Sequence, residues 1–223
     1  MNLFINFASR SLEWEIEYVF RMLKSNVSQI FLDTKSIRID SVSLDGKKIE
    51  HKIKDIPEHV ENLGQQLILT LPQSYKPNDN FKIKIQCSTI YSEEATTALN
   101  WLGPEQTVGK KHPFLFTQSE PILCRTLFPC QDTPHIKTTF NISIRLSQNL
   151  QVHVTGLKGN EQLASGSRIV DFEQNIPIPS YLFAIVAGNL EEKDVSDRCS
   201  VFTEPEEIQR CSDELEDLEN YVK

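Results

Sequence analysis

Three polar residues, Gln118, Ser119 and Glu120, stand where an unusual stretch of the chain changes direction. This stretch, from Trp101 to Pro134, holds five of the eleven prolines and two of the eight glycines. Because proline cannot donate to a sheet ladder, the composition predicts a long loop of fixed shape that ends in a short extended segment. Loops held by rigid scaffolds often carry binding groups. The three polar residues are therefore candidates for ligand binding, although an ordinary loop carboxylate is the alternative for Glu120.

Other polar residues of this stretch are interpreted as support for the loop. Arg125 interrupts the apolar run from Ile122 to Phe128, and a buried guanidinium needs an acidic or carbonyl partner. Asp132 is the candidate partner. Trp101 is expected to anchor the loop by burying its ring.

The sequence lacks the pattern of a catalytic zinc site. A zinc peptidase needs neutral histidine and carboxylate ligands at fixed spacing, usually His-Glu-x-x-His on a helix. No two of the five histidines are four residues apart, and none is followed by Glu-x-x-His; they are His51, His59, His112, His135 and His153. We therefore predict no metal ligands, no catalytic residues and no bound cofactor in this chain.

The cysteines indicate neither a disulfide framework nor a zinc knuckle. Their number is odd, and no two form a Cys-x-x-Cys pair; they are Cys87, Cys124, Cys130, Cys199 and Cys211. Reduced thiols in the cytoplasm are the expected state. Cys124 and Cys130 are interpreted as small core residues, because neither has a base nearby in sequence.

The net charge of −8 is concentrated at one end of the chain. Residues 191–223 contain twelve acidic and four basic residues, whereas the first 190 residues contain nineteen of each. Without a basic surplus, nucleic-acid binding is excluded as a main function. No apolar run approaches the roughly 20 residues of a membrane span.

Alternating polarity dominates the chain outside the loop and predicts β-strands. Examples are Trp14 to Phe20 and Phe81 to Cys87, each with one apolar and one polar face. A change of parity near Ser41 predicts a bulge, and Asp45-Gly46 predicts a hairpin turn. The polar segment from Gly156 to Gly166 is predicted to be a connection between strands. The apolar run from Tyr181 to Val186 is predicted to be a strand that is buried on both faces.

Only the end of the chain has a helical pattern. Glu204-Pro205 resembles a helix start, and apolar residues then recur at helical spacing; they are Ile208, Cys211, Leu215, Leu218 and Val222. The fold expected is mainly β, a large antiparallel β-sheet saddle or sandwich with one C-terminal α-helix. The boundary expected is a β-rich domain at 1–203 and the helix at 204–223, which either packs back on the sheet or meets another surface.

Three motifs carry a resemblance to a known family. WLGPEQT, GKKHPFLFTQSEP and FPCQDTP, between Trp101 and Pro134, resemble the corresponding block of M1 zinc aminopeptidases of the leukotriene A-4 hydrolase and aminopeptidase B branch. Weaker similarity covers nearly the whole chain. The resemblance implies the N-terminal β-rich domain of such an enzyme, with zinc and catalysis belonging to a catalytic domain that follows Lys223.

The resemblance also implies a role for two residues. Glu120 matches the position that helps hold the free α-ammonium of a peptide substrate, and Gln118 matches a polar position beside it. The branch carries Gln-x-Gln-Ala where this chain has Gln118-Ser119-Glu120-Pro121. A full negative charge suits a cationic peptide N-terminus better than an apolar fatty epoxide, so peptides are the expected ligands.

Two functions from different classes follow. The first is the substrate-binding N-terminal domain of an aminopeptidase, with peptide N-termini and a catalytic domain, in cis or in trans, as partners. The second is a non-catalytic β-rich interaction module that binds a partner through the C-terminal helix.

Overall fold

The computed structural model describes residues 1–56, 63–93 and 95–222. In chain order, the strands are β1 (Asn2–Asn6), β2 (Ser11–Arg21), β3 (Gln29–Thr34), β4 (Ile37–Leu44), β5 (Lys47–Lys48), β6 (His51–Asp55), β7 (Gln65–Thr70), β8 (Asn80–Thr89), β9 (Leu99–Leu102), β10 (Phe114–Thr117), β11 (Lys137–Ser147), β12 (Gln151–Val154), β13 (Leu157–Ala164), β14 (Ser167–Pro179), β15 (Ile185–Gly188), β16 (Glu191–Ser196) and β17 (Cys199–Thr203). The helices are α1 (Ile208–Glu214) and α2 (Leu218–Val222).

Within these ranges the strands form four sheets. The largest has the order β13-β14-β11-β1-β2-β8-β4-β5, and a second has the order β12-β15-β10-β9. A three-stranded sheet, β3-β7-β6, and the hairpin β16-β17 complete the set. The predicted fold class is confirmed, with one refinement: β1 runs parallel to β11, with Leu3 opposite Ile144, so the largest sheet is mixed.

The largest sheet has one polar face and one apolar face, as the alternation predicts. Across the polar face, Lys84 pairs with Glu15 at 2.9 Å and Lys82 with Glu17 at 2.6 Å, linking β8 to β2. The apolar residues between them, such as Trp14 and Ile16, are buried. Charged neighbours on adjacent strands therefore keep this face in water.

One hydrophobic core joins three of these sheets: the largest, the second and the three-stranded sheet. It combines residues of the largest sheet with Leu69 of β7, Leu115 of β10 and Ile185 of β15. Aromatic rings continue the contact into the proline-rich block, because Phe128 packs against Trp14 at 5.1 Å and against Phe183 at 5.2 Å between ring centroids. The second sheet and the three-stranded sheet therefore lie against the apolar face of the largest sheet as in a sandwich.

Two turn predictions are confirmed. The register between β4 and β8 shifts between Ile39 and Ser41, which is the predicted bulge. Asp45 and Gly46 join β4 to β5 with φ angles of 46° and 82°. Both angles lie in the left-handed region that a tight hairpin turn requires.

The prediction of a polar connection from Gly156 to Gly166 is wrong, because this segment contains β13. The strand pairs with β14 at the edge of the largest sheet, and all eight of its residues are exposed. An edge strand exposed on both faces is held by backbone hydrogen bonds. Its sequence therefore needs no apolar alternation, and periodicity does not detect it.

The prediction of one buried strand from Tyr181 to Val186 is also wrong. A 3-10 turn occupies Ser180–Leu182, and β15 begins only at Ile185. Leu182 is 46% exposed. The apolar run therefore spans a turn, which carries the chain from β14 in the largest sheet to β15 in the second sheet.

The block from Trp101 to Pro134 is more regular than predicted. It contains the end of β9 and the whole of β10, which pair with each other. Its apolar run is not extended, because Cys124–Thr126 forms a 3-10 turn. All three residues of this turn are buried, so a compact turn rather than a strand fills the core here.

The C-terminal segment is helical but interrupted. The chain turns between Leu215 and Asp217, which separates α1 from α2. Both helices contact the β16-β17 hairpin: Lys193 donates to Gln209 at 2.7 Å, and Arg198 pairs with Glu219 at 2.9 Å. In the described ranges, α1 and α2 are both too short to span a lipid bilayer.

Candidate functional site

Strand β10 ends directly before the candidate residues. It lies between β9 and β15 in the second sheet, and its last ladder bond joins Gln118 N–H to the Ala98 carbonyl at 2.8 Å. The Thr117 hydroxyl accepts the Ile185 N–H at 2.9 Å. Gln118 therefore leaves the sheet from a fixed position.

A tight turn follows in which the three polar residues have different environments. The Gln118 side chain is exposed, and its Oε1 accepts the Glu120 N–H at 2.9 Å. Ser119 is buried, and its hydroxyl donates to the Phe183 carbonyl at 3.4 Å. The Glu120–Pro121 peptide bond is cis. Gln118 thus bonds to the backbone of Glu120, and Ser119 anchors the turn.

The Glu120 side chain is exposed at this turn. None of the salt bridges between described residues includes its carboxylate. A carboxylate presented in this way can accept hydrogen bonds from a ligand cation without first breaking an internal pair. The structure therefore leaves Glu120 available for a cationic group.

Arg125 and Asp132 form the buried pair that the sequence predicts. Arg125 is 4% exposed, and its Nε donates to Asp132 Oδ2 at 3.0 Å. The Arg125 backbone N–H donates to the same oxygen at 3.1 Å. The other guanidinium nitrogens donate to the carbonyls of Leu63, at 2.8 Å, and Asp132, at 3.2 Å.

Two further residues complete this network, and sequence reasoning did not single them out. Ser180 donates to Asp132 Oδ1 at 2.6 Å, and Asp33 Oδ2 accepts the Asp132 N–H at 3.0 Å. Asp33 also forms an isolated β-bridge with Cys130. The network therefore ties the block to β3 and to the turn before β15. Only the resemblance around Leu32 to Lys35 could have pointed to Asp33.

Trp101 lies on β9 opposite Leu115. Its half-buried ring packs edge-on against Phe7, with 5.4 Å between ring centroids. The ring thus joins the second sheet to the end of β1. This contact can anchor β9, but it lies at a different place from the Arg125 network.

One group of potential metal ligands occurs in the described ranges. The ligand atoms of Cys124, Cys130 and Asp132 lie within 4.8 Å of one another, all buried. A hydrogen bond with Cys124, together with burial, raises the pKa of the Cys130 thiol well above its usual value. The Asp132 carboxylate is already occupied by Arg125 and Ser180.

This group does not fit the zinc site of a peptidase. Zinc requires deprotonated thiols or neutral imidazoles, and a catalytic site keeps one position open to water. The group contains no histidine, and its carboxylate is paired with a guanidinium. His59 lies outside the described residues. The group of Cys124, Cys130 and Asp132 is therefore interpreted as part of the packed core, and no catalytic step is assigned to it.

A family model describes the chain. The peptidase M1 N-terminal domain matches residues 1–182. This range includes Gln118, Glu120 and the whole Arg125 network.

Similar proteins agree with this match. Leucine aminopeptidase 2 of Aspergillus niger is 37% identical over an alignment of 213 positions that covers 92% of this chain and 33% of the relative. Leukotriene A-4 hydrolase of Xenopus laevis is 33% identical over an alignment of 226 positions that covers 100% of this chain and 36% of the relative. The chain thus spans about a third of the length of these curated relatives.

Solved structures show the same arrangement of strands. The structure of native yeast LTA4 hydrolase superposes with a TM-score of 0.86 at 34% identity, over 100% of this chain and 33% of that one. An M1 zinc metallopeptidase from Deinococcus radiodurans superposes with a TM-score of 0.69 at 18% identity, which supports the fold alone; it covers 90% of this chain and 44% of that one.

Proposed function

The chain belongs to the peptidase M1 N-terminal domain family, and from this premise we propose that it binds the free α-amino group of peptide substrates for a zinc aminopeptidase. Glu120 is the residue that accepts the ammonium group, and Gln118 holds the turn that presents it. The partner is an M1-type catalytic domain, in cis as in single-chain relatives or in trans.

The observation that carries this proposal is the contrast between Glu120 and its surroundings. Gln118 and Ser119 are fixed by hydrogen bonds, whereas the Glu120 carboxylate is exposed and in no salt bridge between described residues. A preorganised backbone with a free charge reduces the ordering cost of binding. This arrangement suits recognition of a cation better than it suits a structural role.

The expected contribution of Glu120 to selectivity is moderate. A hydrogen bond to a charged group contributes about 1.5–3 kcal/mol when it is shielded from water. That free energy corresponds to roughly 10- to 100-fold in affinity. Shielding requires a second surface over the exposed carboxylate, which the catalytic domain would supply.

Zinc and hydrolysis are assigned to that catalytic domain. The ligand group in this chain does not fit a catalytic zinc ion, as the pairing of Asp132 with Arg125 shows. The negative charge of Glu120 also favours peptides over an apolar epoxide. We propose a cytoplasmic location, because the five cysteines are free thiols rather than the disulfides typical of exported domains.

A chimeric enzyme tests the function at the level of the domain. This chain would replace the matching third of Aspergillus niger leucine aminopeptidase 2, and hydrolysis of leucine 4-nitroanilide would be measured. We expect the chimera to hydrolyse leucine 4-nitroanilide, and we expect no activity from the relative that lacks this third. The chimera should also be inactive toward N-acetyl-leucine 4-nitroanilide, which has no free α-amino group. A folded, zinc-loaded chimera without activity would contradict the proposal and favour the interaction module.

A further inference from the structure

Strand β9 lies at an open edge of the second sheet, and alternate residues of this strand direct their backbone groups away from β10. The Gln118 N–H bonds to the Ala98 carbonyl, so that pair belongs to the hydrogen-bonded set. Antiparallel pairs alternate between hydrogen-bonded and non-bonded. Asn100, opposite Phe116, therefore bonds to β10, whereas the backbone groups of Leu99 and Trp101 point the other way.

These outward groups border a groove of about 680 Å³. All four residues of β9 line it, together with the segment from Thr89 to Tyr91 at the end of β8. That segment is held in place, because the Ile90 N–H donates to the Ser36 carbonyl at 2.8 Å. The volume lies within the range of about 300–1,000 Å³ found for ligand sites.

Strand β9 is short, with four residues, but it lacks the other features that protect sheet edges. Edge strands are usually blunted by charged residues, especially lysine, or by bulges. Strand β6 carries Lys52 and Lys54, and β13 has an irregular register after Lys158. Strand β9 has the sequence Leu-Asn-Trp-Leu, without charge, proline or register shift. Its edge is therefore suited to pairing with another extended chain.

The charges around the groove indicate what kind of chain would fit. Arg10 stacks on Tyr91 at 4.8 Å and lies 4.0 Å from Glu93, so the charge of Glu93 is partly balanced. Glu105 follows the end of β9, and its carboxylate folds closely over Gly103, where a side chain on Gly103 would collide with it. Between described residues, Glu105 takes part in no salt bridge. Among these residues, the cation that contacts Glu105 is Lys110, whose Nζ donates to the Glu105 backbone carbonyl at 2.8 Å rather than to the carboxylate. The Glu105 carboxylate therefore adds a negative charge at the end of β9 that has no direct ion-pair partner among the described residues.

We propose that the groove binds an extended internal segment of a protein partner, which pairs with β9 as an additional strand and places a basic side chain near Glu105. Main-chain hydrogen bonds to the Leu99 N–H and to both backbone groups of Trp101 supply affinity, and the charge supplies selectivity. The Leu99 carbonyl is left out of this set because it already accepts from the Thr97 hydroxyl at 3.3 Å. This binding needs no free α-amino group, so it is independent of the function proposed for Glu120.

The probe is a hexapeptide capped by acetyl and amide groups, Thr-Val-Lys-Val-Thr-Val, titrated into the 223-residue chain and followed by amide NMR. The cap removes the α-ammonium, so Glu120 cannot be the anchor. We expect saturable downfield shifts of the Leu99 and Trp101 amide protons. The amide of Asn100 should change little, because it is already bonded to β10.

Two variants test the site. Leu99→Pro removes one outward N–H and no ladder bond to β10, and should weaken binding about two- to tenfold. Glu105→Gln should weaken binding of the lysine peptide about two- to fivefold. The same substitution should not change the affinity for a peptide that has glutamine in place of lysine. Glu13→Gln, on the outer face of β2, is the matched control and should leave the affinity unchanged.

Several results would overturn the proposal. They are the absence of saturable shifts, equal shifts at Asn100 and Trp101, or dimerisation of the chain through β9, detected by light scattering as loss of the monomer. If Leu99→Pro does not fold, the alternating amide shifts of the wild-type chain still decide the outcome.

Discussion

Arg125 and Asp132 face each other inside the protein, with Nε 3.0 Å from Oδ2 and side-chain exposures of 5% and 0%. Removing one partner of a buried pair leaves the other charge unpaired, which typically costs about 3–5 kcal/mol. We expect Asp132→Asn to lower the free energy of unfolding in urea by about that amount. Glu15→Gln, at an exposed pair with Lys84, is the control and should cause no measurable change. Equal stability of the two variants would contradict this role.

His153 should make the stability of the protein depend on pH. Its ring packs at a tilt against Phe202, with 3.8 Å between ring centroids, and burial lowers the pKa of His153 from 6.5 to about 4. The folded protein therefore holds a neutral ring, and its contribution is complete above pH 6.5 and lost as the pH falls to about 4. Because the ring is only half-buried, we expect a loss of about 1–2 kcal/mol.

The measurement for His153 is urea unfolding at pH 7 and at pH 4.5. His153→Phe keeps an aromatic ring against Phe202 but cannot be protonated, so its stability should fall less over this range. An identical pH dependence in the variant would show that other groups are responsible.

Thiol reactivity should divide the cysteines into two classes. Burial raises the pKa of Cys87 to about 12, and the pKa of the Cys130 thiol is also raised. At pH 8 these two should resist iodoacetamide, because the thiolate is the nucleophile. Cys124 should resist it because its side chain is fully buried and out of reach of the reagent. The half-exposed Cys199 and Cys211 should react. Mass spectrometry of the alkylated protein, before and after unfolding, checks the order; early labelling of Cys87 would refute it.

Glu204 should hold the loop between β9 and β10 in place. Its carboxylate accepts the N–H groups of Val108, at 3.0 Å, and Gly109, at 3.2 Å. Loss of these charge-assisted bonds should make local opening about tenfold more frequent. In Glu204→Ala, trypsin should therefore cut after Lys110 or Lys111 about tenfold faster, whereas Glu216→Ala should be cut at the wild-type rate. An unchanged rate in Glu204→Ala would show that the loop is held by other contacts.

Local pattern predicted much of the fold. Alternation predicts β2 and β8, and Asp45-Gly46 predicts the turn between β4 and β5. The edge strand β13 escapes detection because exposure on both faces removes the apolar period. The parallel pairing of β1 with β11 is a contact between distant segments, which periodicity does not encode.

In the candidate site too, local patterns predict some residues and miss others. An isolated charge in an apolar run predicted that Arg125 is buried, and a nearby acid predicted its partner. Asp33 and Ser180 complete that network from 99 and 48 residues away from Asp132. No short-range signal connects them to the block. The roles of Gln118 and Glu120 in binding remain proposals that rest on resemblance and on the geometry of the turn.

The most direct test of the central claim is kcat/KM for leucine 4-nitroanilide in the chimeric enzyme with Glu120 or with Gln at this position. The claim predicts a loss of about 10- to 100-fold for Glu120→Gln, partial recovery in Glu120→Asp, and no change for the control Glu13→Gln. Values of kcat/KM within twofold for Glu120 and Glu120→Gln would contradict it.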